Sequence, residues 1–172
     1  MDFYDVINNR RAVRRYKEGT INDEVLKRIM EATRRAPSWA NRQCWRFILI
    51  KDREIMMKLG QMRSYRPDIS CYEKAGAIAV ACADPSASGE MNGKQYYMLD
   101  TGIAMEHLIL AATAEGLGTC WIGAIDEQPI KQLLHIPDQY RVIAFAPIGY
   151  ADEQPPLRDR LPLDEIFHIN KW

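Results

Sequence analysis

One run of the chain constrains its fold more than any other: Met98 to Glu115, MLDTGIAMEHLILAATAE. Length and composition predict a helix there, and Gly116 and Gly118 stop it. Between Asp100 and Glu115 only Glu106 and His107 interrupt its apolar character. A helix apolar nearly all round is buried nearly all round. It is too short and too interrupted to span a membrane. A chain of 172 residues removes roughly 70% of its unfolded surface from water as a monomer. Covering every face of one helix with so little protein is difficult. A second subunit is the simplest cover, so the sequence predicts a subunit interface on this helix.

The elements around it follow from local pattern. Asp2 to Asn9 reads as a short helix. Thr20 to Arg35 reads as a longer one, with Asn22 as cap, Asp23 and Glu24 in the first turn and Arg34 and Arg35 in the last. Val25, Ile29 and Ala32 or Thr33 mark its apolar face. Pro37 ends it. Trp45 to Lys51 and Ala75 to Cys82 read as buried strands, and Thr119 to Ile125 and Val142 to Ile148 supply two more. After Tyr150 the run ADEQPPLRDRLPL carries three prolines. It reads as an extended arm leaving the domain.

Charge narrows the function classes. Lys+Arg and Asp+Glu are 23 each, so the net charge is zero. Proteins that live on nucleic acid or anionic membranes usually carry a basic excess. Cys44, Cys71, Cys82 and Cys120 form no C-x-x-C pair, and His107, His135 and His168 are as scattered, so no metal site is expected. Residues 1–16 hold Asp2, Asp5 and four arginines without an apolar core, which does not read as a signal peptide. Buried cysteines in a reducing cytoplasm are the expectation.

Four segments are candidates for chemistry. Arg10-Arg11-Ala12-Val13-Arg14-Arg15 concentrates positive charge on a neutral protein. Alone it reads equally as a solvated patch, less well as a nucleic-acid arm, or as a site for a phosphorylated small molecule, since guanidinium forks bind two phosphate oxygens at once. Ala36 to Trp45 joins a helix end to a strand with small and amide residues suited to a planar heterocycle, or forms a plain turn. Gly116 to Gly123, GLGTCWIG, permits close backbone approach, but it leaves a helix and enters a strand, the reverse of a dinucleotide-binding loop. Arg158 and Arg160, two apart on an extended segment, point the same way.

Together these segments resemble the FMN-dependent nitroreductase family over essentially the whole chain. The resemblance rests on N-x-R-R-x-x-R-x-Y, on A-P-S-x-x-N-x-Q-x-W, on D-x-G-x-A-x-x-x-L-x-L-A-A-x-x-x-G-L-G-T-C-W-I-G and on the ending G-Y…R-x-R-x-P-L-x-E. It implies an α+β, three-layer nitroreductase-like fold, with a central mostly antiparallel sheet flanked by helices. It implies one domain over residues 1–172, homodimeric, with residues 151–172 exchanged onto the partner.

Site roles carry over residue by residue. Arg10, Arg11, Ala12 and Arg14 match the segment that binds the FMN phosphate, ribityl chain and pyrimidine edge. Many members have serine where Ala12 stands. Pro37, Ser38, Trp39 and Asn41 match the loop that contacts the flavin of the other subunit. Gln43 is retained, and Cys44 replaces the usual proline. Trp121, Ile122 and Gly123 match the strand end near the flavin's N5 edge, and Arg158 and Arg160 match the last phosphate pair. A further mid-chain contact is expected near Met62 to Tyr65. Arg14 is the candidate for an electrostatic role, and no acid–base residue is assigned because the flavin performs the chemistry.

The activity implied is NAD(P)H-dependent, ping-pong reduction of nitroaromatics, quinones or similar electron-poor acceptors. A flavin-binding protein without turnover shares every phosphate contact and stays open, as does another flavin chemistry such as reductive dehalogenation or flavin fragmentation.

Overall fold

A computed structural model of the protein describes residues 1–62 and 70–172. Its elements in chain order are α1 (Phe3–Asn9), α2 (Asp23–Arg34), β1 (Trp45–Ile50), α3 (Arg53–Gln61), α4 (Ser70–Glu73), β2 (Ala77–Ala83), β3 (Glu90–Met91), β4 (Lys94–Gln95), α5 (Tyr96–Ala114), β5 (Gly118–Thr119), α6 (Glu127–Leu134), β6 (Arg141–Gly149) and α7 (Leu163–Ile166). Four strands form one sheet in the order β1-β2-β6-β5, antiparallel throughout. β3 and β4 pair as a small separate hairpin.

The layers follow from the two-residue period of β2. Every residue of β2 is buried, and alternate side chains point to opposite faces. Ala77 and Ala79 pack with Leu26 and Ile29 of α2 and Leu108, Ile109 and Ala112 of α5. Ile78 and Val80 pack with Met56 and Leu59 of α3, Ile130 of α6 and Phe145 of β6. The sheet is therefore covered on both sides, giving an α+β fold of three layers. Small residues face α5, which lets that helix lie close to the sheet.

α2 forms where its capping pattern places it. The Asn22 side chain accepts the Glu24 N–H at 2.8 Å, and Leu26, Ile29 and Thr33 supply the buried stripe. α5 is less enclosed than its composition predicts. Ala104, Met105, Leu108, Ile109 and Ala112 are buried, but Met98, Leu99 and Ile103 are 49%, 56% and 41% exposed. Phe3, Tyr4 and Ile7 of the adjoining α1 are exposed as well. This apolar strip is the part of the helix that one chain leaves uncovered.

The predicted strand from Thr119 to Ile125 is shorter than expected. Among the described residues, Gly118–Thr119 joins the ladder and Ile122 returns for a bridge to Phe145, while Ile125 stands as a further single bridge residue. Residues 12–13 take the outer side of β5: Ala12 bridges Thr119 in parallel, and the Val13 N–H donates to the Thr119 carbonyl at 2.9 Å. Gly118 permits this approach, because a Cβ there would lie 2.8 Å from the Val13 side chain. The N-terminal basic run thus becomes part of the sheet edge.

Candidate functional site

Two ends of the chain meet beside β6. Tyr16 pairs with Ala151, the Lys17 N–H donates to the Tyr150 carbonyl at 2.8 Å, and the Asp152 N–H donates to the Arg15 carbonyl at 2.9 Å. The Tyr16 ring is buried, and its hydroxyl donates to the carbonyls of Val13 (2.7 Å) and Pro147 (3.2 Å). Burial pushes the Tyr16 phenol far above its ordinary value, with Cys120 adding to the shift, so it stays a neutral donor. Glu153 closes the junction. Its carboxylate accepts the N–H groups of Arg14 (2.5 Å) and Arg15 (3.0 Å) and pairs with the Arg15 guanidinium at 3.2 Å.

This junction holds the two basic segments on either side of one cleft of about 130 Å³, lined by Arg10, Arg11, Ala12, Arg14, Pro155, Pro156, Leu157, Arg158 and Arg160. Five of these nine residues are arginines and none is acidic. Arg11 lies back along α1 and donates to the carbonyls of Asn8 (2.6 Å) and Arg10 (2.9 Å). Arg160 donates only to the carbonyls of Arg158 and Asp159, both at 3.1 Å. Among the described residues, no carboxylate pairs with Arg10, Arg14, Arg158 or Arg160. Like charges held together in this way repel one another unless an anion joins them. The donor set, guanidinium forks around an open cleft with a proline wall, fits a phosphate ester with an apolar or planar extension.

The segment from Pro37 to Asn41 does not line this cleft in the single chain. Pro37, Trp39 and Asn41 are exposed and Ser38 is half-buried, at the end of the sheet where β1 begins. The Trp39 N–H donates to the buried Asp100 carboxylate at 2.9 Å, and the Gln43 N–H donates to the Ser38 hydroxyl oxygen at 2.9 Å. Trp39 stacks on Tyr96 with centroids 6.1 Å apart, and Arg42 lies 5.7 Å over its ring. Trp121, Ile122 and Gly123 follow directly from β5, which is paired to the basic run. Ile122 is buried, while Trp121 and Gly123 are exposed. Met62 caps α3 and packs on the core, and the rest of the expected contact at Met62 to Tyr65 lies outside the described residues.

Sequence reasoning assigned no role to Glu153 or Asp100. Asp100 had a readable signal, a carboxylate in the first turns of a helix whose other charged or basic side chains are Glu106 and His107. Glu153 had none, since its partners are backbone groups about 140 residues away.

A nitroreductase family model matches residues 7–68 and 69–150, and the chain belongs to the nitroreductase family. A nitroreductase family protein from Clostridium novyi NT is 36% identical, with a TM-score of 0.86 over 100% of this chain and 95% of that one. An FMN-dependent nitroreductase from Clostridium difficile R20291 is 26% identical, with a TM-score of 0.86 over 99% and 100%. An FMN reductase [NAD(P)H] of Bacillus subtilis is 27% identical over 94% of this chain and 71% of its own length.

Proposed function

We propose that the protein is an FMN-dependent NAD(P)H oxidoreductase acting on nitroaromatics, quinones or similar electron-poor acceptors. The observation that carries this reading is the cleft of five arginines with no acidic lining residue. The names of its relatives, FMN-dependent nitroreductase and FMN reductase [NAD(P)H], support it. When bound, FMN supplies the electron transfer between NAD(P)H and the acceptor.

The chain's own residues bind and orient. Arg10, Arg158 and Arg160 neutralise the phosphate from both ends of the chain, with Arg11 and Ala12 at the cleft wall. Each charge-assisted bond contributes about 1.5–3 kcal/mol where partly buried. Arg14 sets a positive charge beside the pyrimidine edge. Trp121, Ile122 and Gly123 would bring backbone against the reacting edge of the ring.

The site is completed by a second copy. Pro37, Ser38, Trp39 and Asn41 reach the flavin of the partner subunit. Of the arm expected over 151–172, residues 151–160 stay beside Arg10 to Lys17 of their own chain, so the part that crosses to the partner as an extension of one domain over 1–172 is the stretch beyond Arg160. The uncovered strip on α1 and α5 supports this, as does an arm exposed throughout from Leu157 to Trp172. The four buried cysteines suit a reducing cytoplasm.

If one face of the bound cofactor served electron donor and acceptor in turn, the two would not bind productively together. Initial rates with NADH or NADPH and a quinone or nitroaromatic then give parallel double-reciprocal lines. Intersecting lines would reject the shared face. A holoprotein that NAD(P)H fails to reduce would reject the enzyme and favour a flavin-binding protein without turnover.

A further inference from the structure

The segment from Ser38 to Gln43 is held in a backbone conformation that its residues disfavour. Ala40, Asn41 and Gln43 have φ of 48°, 53° and 50°, all left-handed. Asparagine tolerates that region. Alanine and glutamine meet a steric penalty there that glycine does not. Such a backbone persists only where its surroundings over-determine it.

The surroundings converge on one carboxylate. Asp100, 3% exposed on α5, accepts the Trp39 N–H at 2.9 Å through Oδ1. Its Oδ2 accepts the Ser88 hydroxyl at 3.0 Å and the Cys44 thiol at 3.7 Å. These three neutral donors come from two segments, the loop before β1 and the turn that holds Ser88. Burying a carboxylate against neutral donors alone is expensive in an ordinary core. Packing then fixes the ring that Asp100 anchors. Trp39 contacts both Tyr96 and Arg42, and a Cβ on Gly89 would fall 2.6 Å from its Cε2. Yet Trp39 is 37% exposed. A side chain packed in this way and still open to solvent is one that is presented, not one that fills a core.

We propose that Asp100 is a positioning residue of the flavin site. Its carboxylate sets the left-handed segment, and so the place at which Ser38, Trp39 and Asn41 meet the flavin of the partner subunit. This rests on the reading of that segment as a flavin contact. Asp100 itself touches no substrate or cofactor and acts through Trp39.

The test uses the full chain, with FMN titrated into apoprotein and the visible spectrum of bound flavin recorded. Asp100→Ala should weaken FMN binding about 10- to 100-fold, the loss of a charge-assisted bond and the order it imposes. It should also move the flavin bands toward those of free FMN. Asp100→Asn keeps the shape and one acceptor for the Trp39 N–H, so it remains folded and should show a smaller shift of the same kind. Adding Ala40→Gly to Asp100→Asn should recover at least about threefold in affinity, because glycine removes the penalty that the carboxylate offsets. A carboxylate that only stabilised the core would lower the unfolding midpoint, and glycine at position 40 would not restore flavin binding. Two results overturn the inference alone: holoprotein variants with wild-type affinity and spectrum, or a loss that Ala40→Gly leaves untouched. An unaltered protein that binds no FMN overturns the flavin reading, and this inference with it.

Discussion

Replacing Arg158 and Arg160 together by alanine isolates one side of the arginine cleft. Neither guanidinium supports the fold, since Arg160 bonds only to the carbonyls of Arg158 and Asp159, and both side chains are exposed. Stability should therefore stay within about 0.5 kcal/mol of the unaltered protein. Their contribution to phosphate binding lies between two limits. A fully exposed ion pair contributes about 0–1 kcal/mol, and a charge-assisted bond in a partly buried site about 1.5–3 kcal/mol. The cleft is open on one side and walled by Pro155 and Pro156 on the other, so about 1.5 kcal/mol per arginine is the working value. Two together give about 3 kcal/mol, or roughly 150-fold in Kd. Quenching of flavin fluorescence on titration into apoprotein measures this directly. The difference should shrink in 0.5 M salt, where the Debye length falls below about 5 Å. Arg15→Ala is the control, because its guanidinium pairs with Glu153 at 3.2 Å and does not line the cleft. An unchanged Kd in the double variant, or an equal loss in Arg15→Ala, would refute the phosphate assignment.

Three further outcomes follow from the same geometry. Gly118→Ala drives a Cβ to 2.8 Å from Val13 and should cost about 1–3 kcal/mol by overpacking, read as a lower urea midpoint, with flavin affinity falling too because the basic run is displaced. Removing residues 151–172 should abolish dimerisation and flavin binding together, tested by light scattering and absorbance; a truncated monomer that keeps FMN contradicts the exchanged arm. Hydrogen bonds from Arg34 and then Arg35 hold the Glu31 carboxyl down at about 2, against an ordinary 4.5. A depressed carboxyl stabilises the folded state above its unfolded value, and that stability is lost as pH falls through the folded one. Glu31→Gln should therefore flatten part of the acid limb between pH 4.5 and 2, measured as urea midpoint against pH, and an identical limb would sink the assignment.

The central helix and the main strands are legible in the sequence because their signals are local. Apolar runs of the right length bounded by glycine or proline require no knowledge of the rest of the chain. The helices at Arg53–Gln61 and Glu127–Leu134 went unassigned, although each follows an aspartate. Asp52 does accept the Ile55 N–H, while Asp126 makes no side-chain cap. The over-long strand after Thr119 fails for another reason. Strand pattern continues through Ile125, but the pairing with β6 lapses after Thr119 and returns at the Ile122–Phe145 bridge, which no local rule foresees. The meeting of Arg10 with Arg158 was legible only through family resemblance. Its physical cause, the junction of Tyr16, Glu153 and Ala151, is long-range backbone pairing. Asp100 was visible as a residue and invisible as a hub, since Trp39, Cys44 and Ser88 reach it through the fold.

The measurement that bears most directly on the account is the visible absorption spectrum of the purified protein, before and after NADH or NADPH is added without oxygen. The protein should be yellow and release about one FMN per chain on denaturation, with flavin bands that bleach on adding NADH or NADPH and return when a quinone or nitroaromatic follows. A colourless protein that also takes up no added FMN would contradict it.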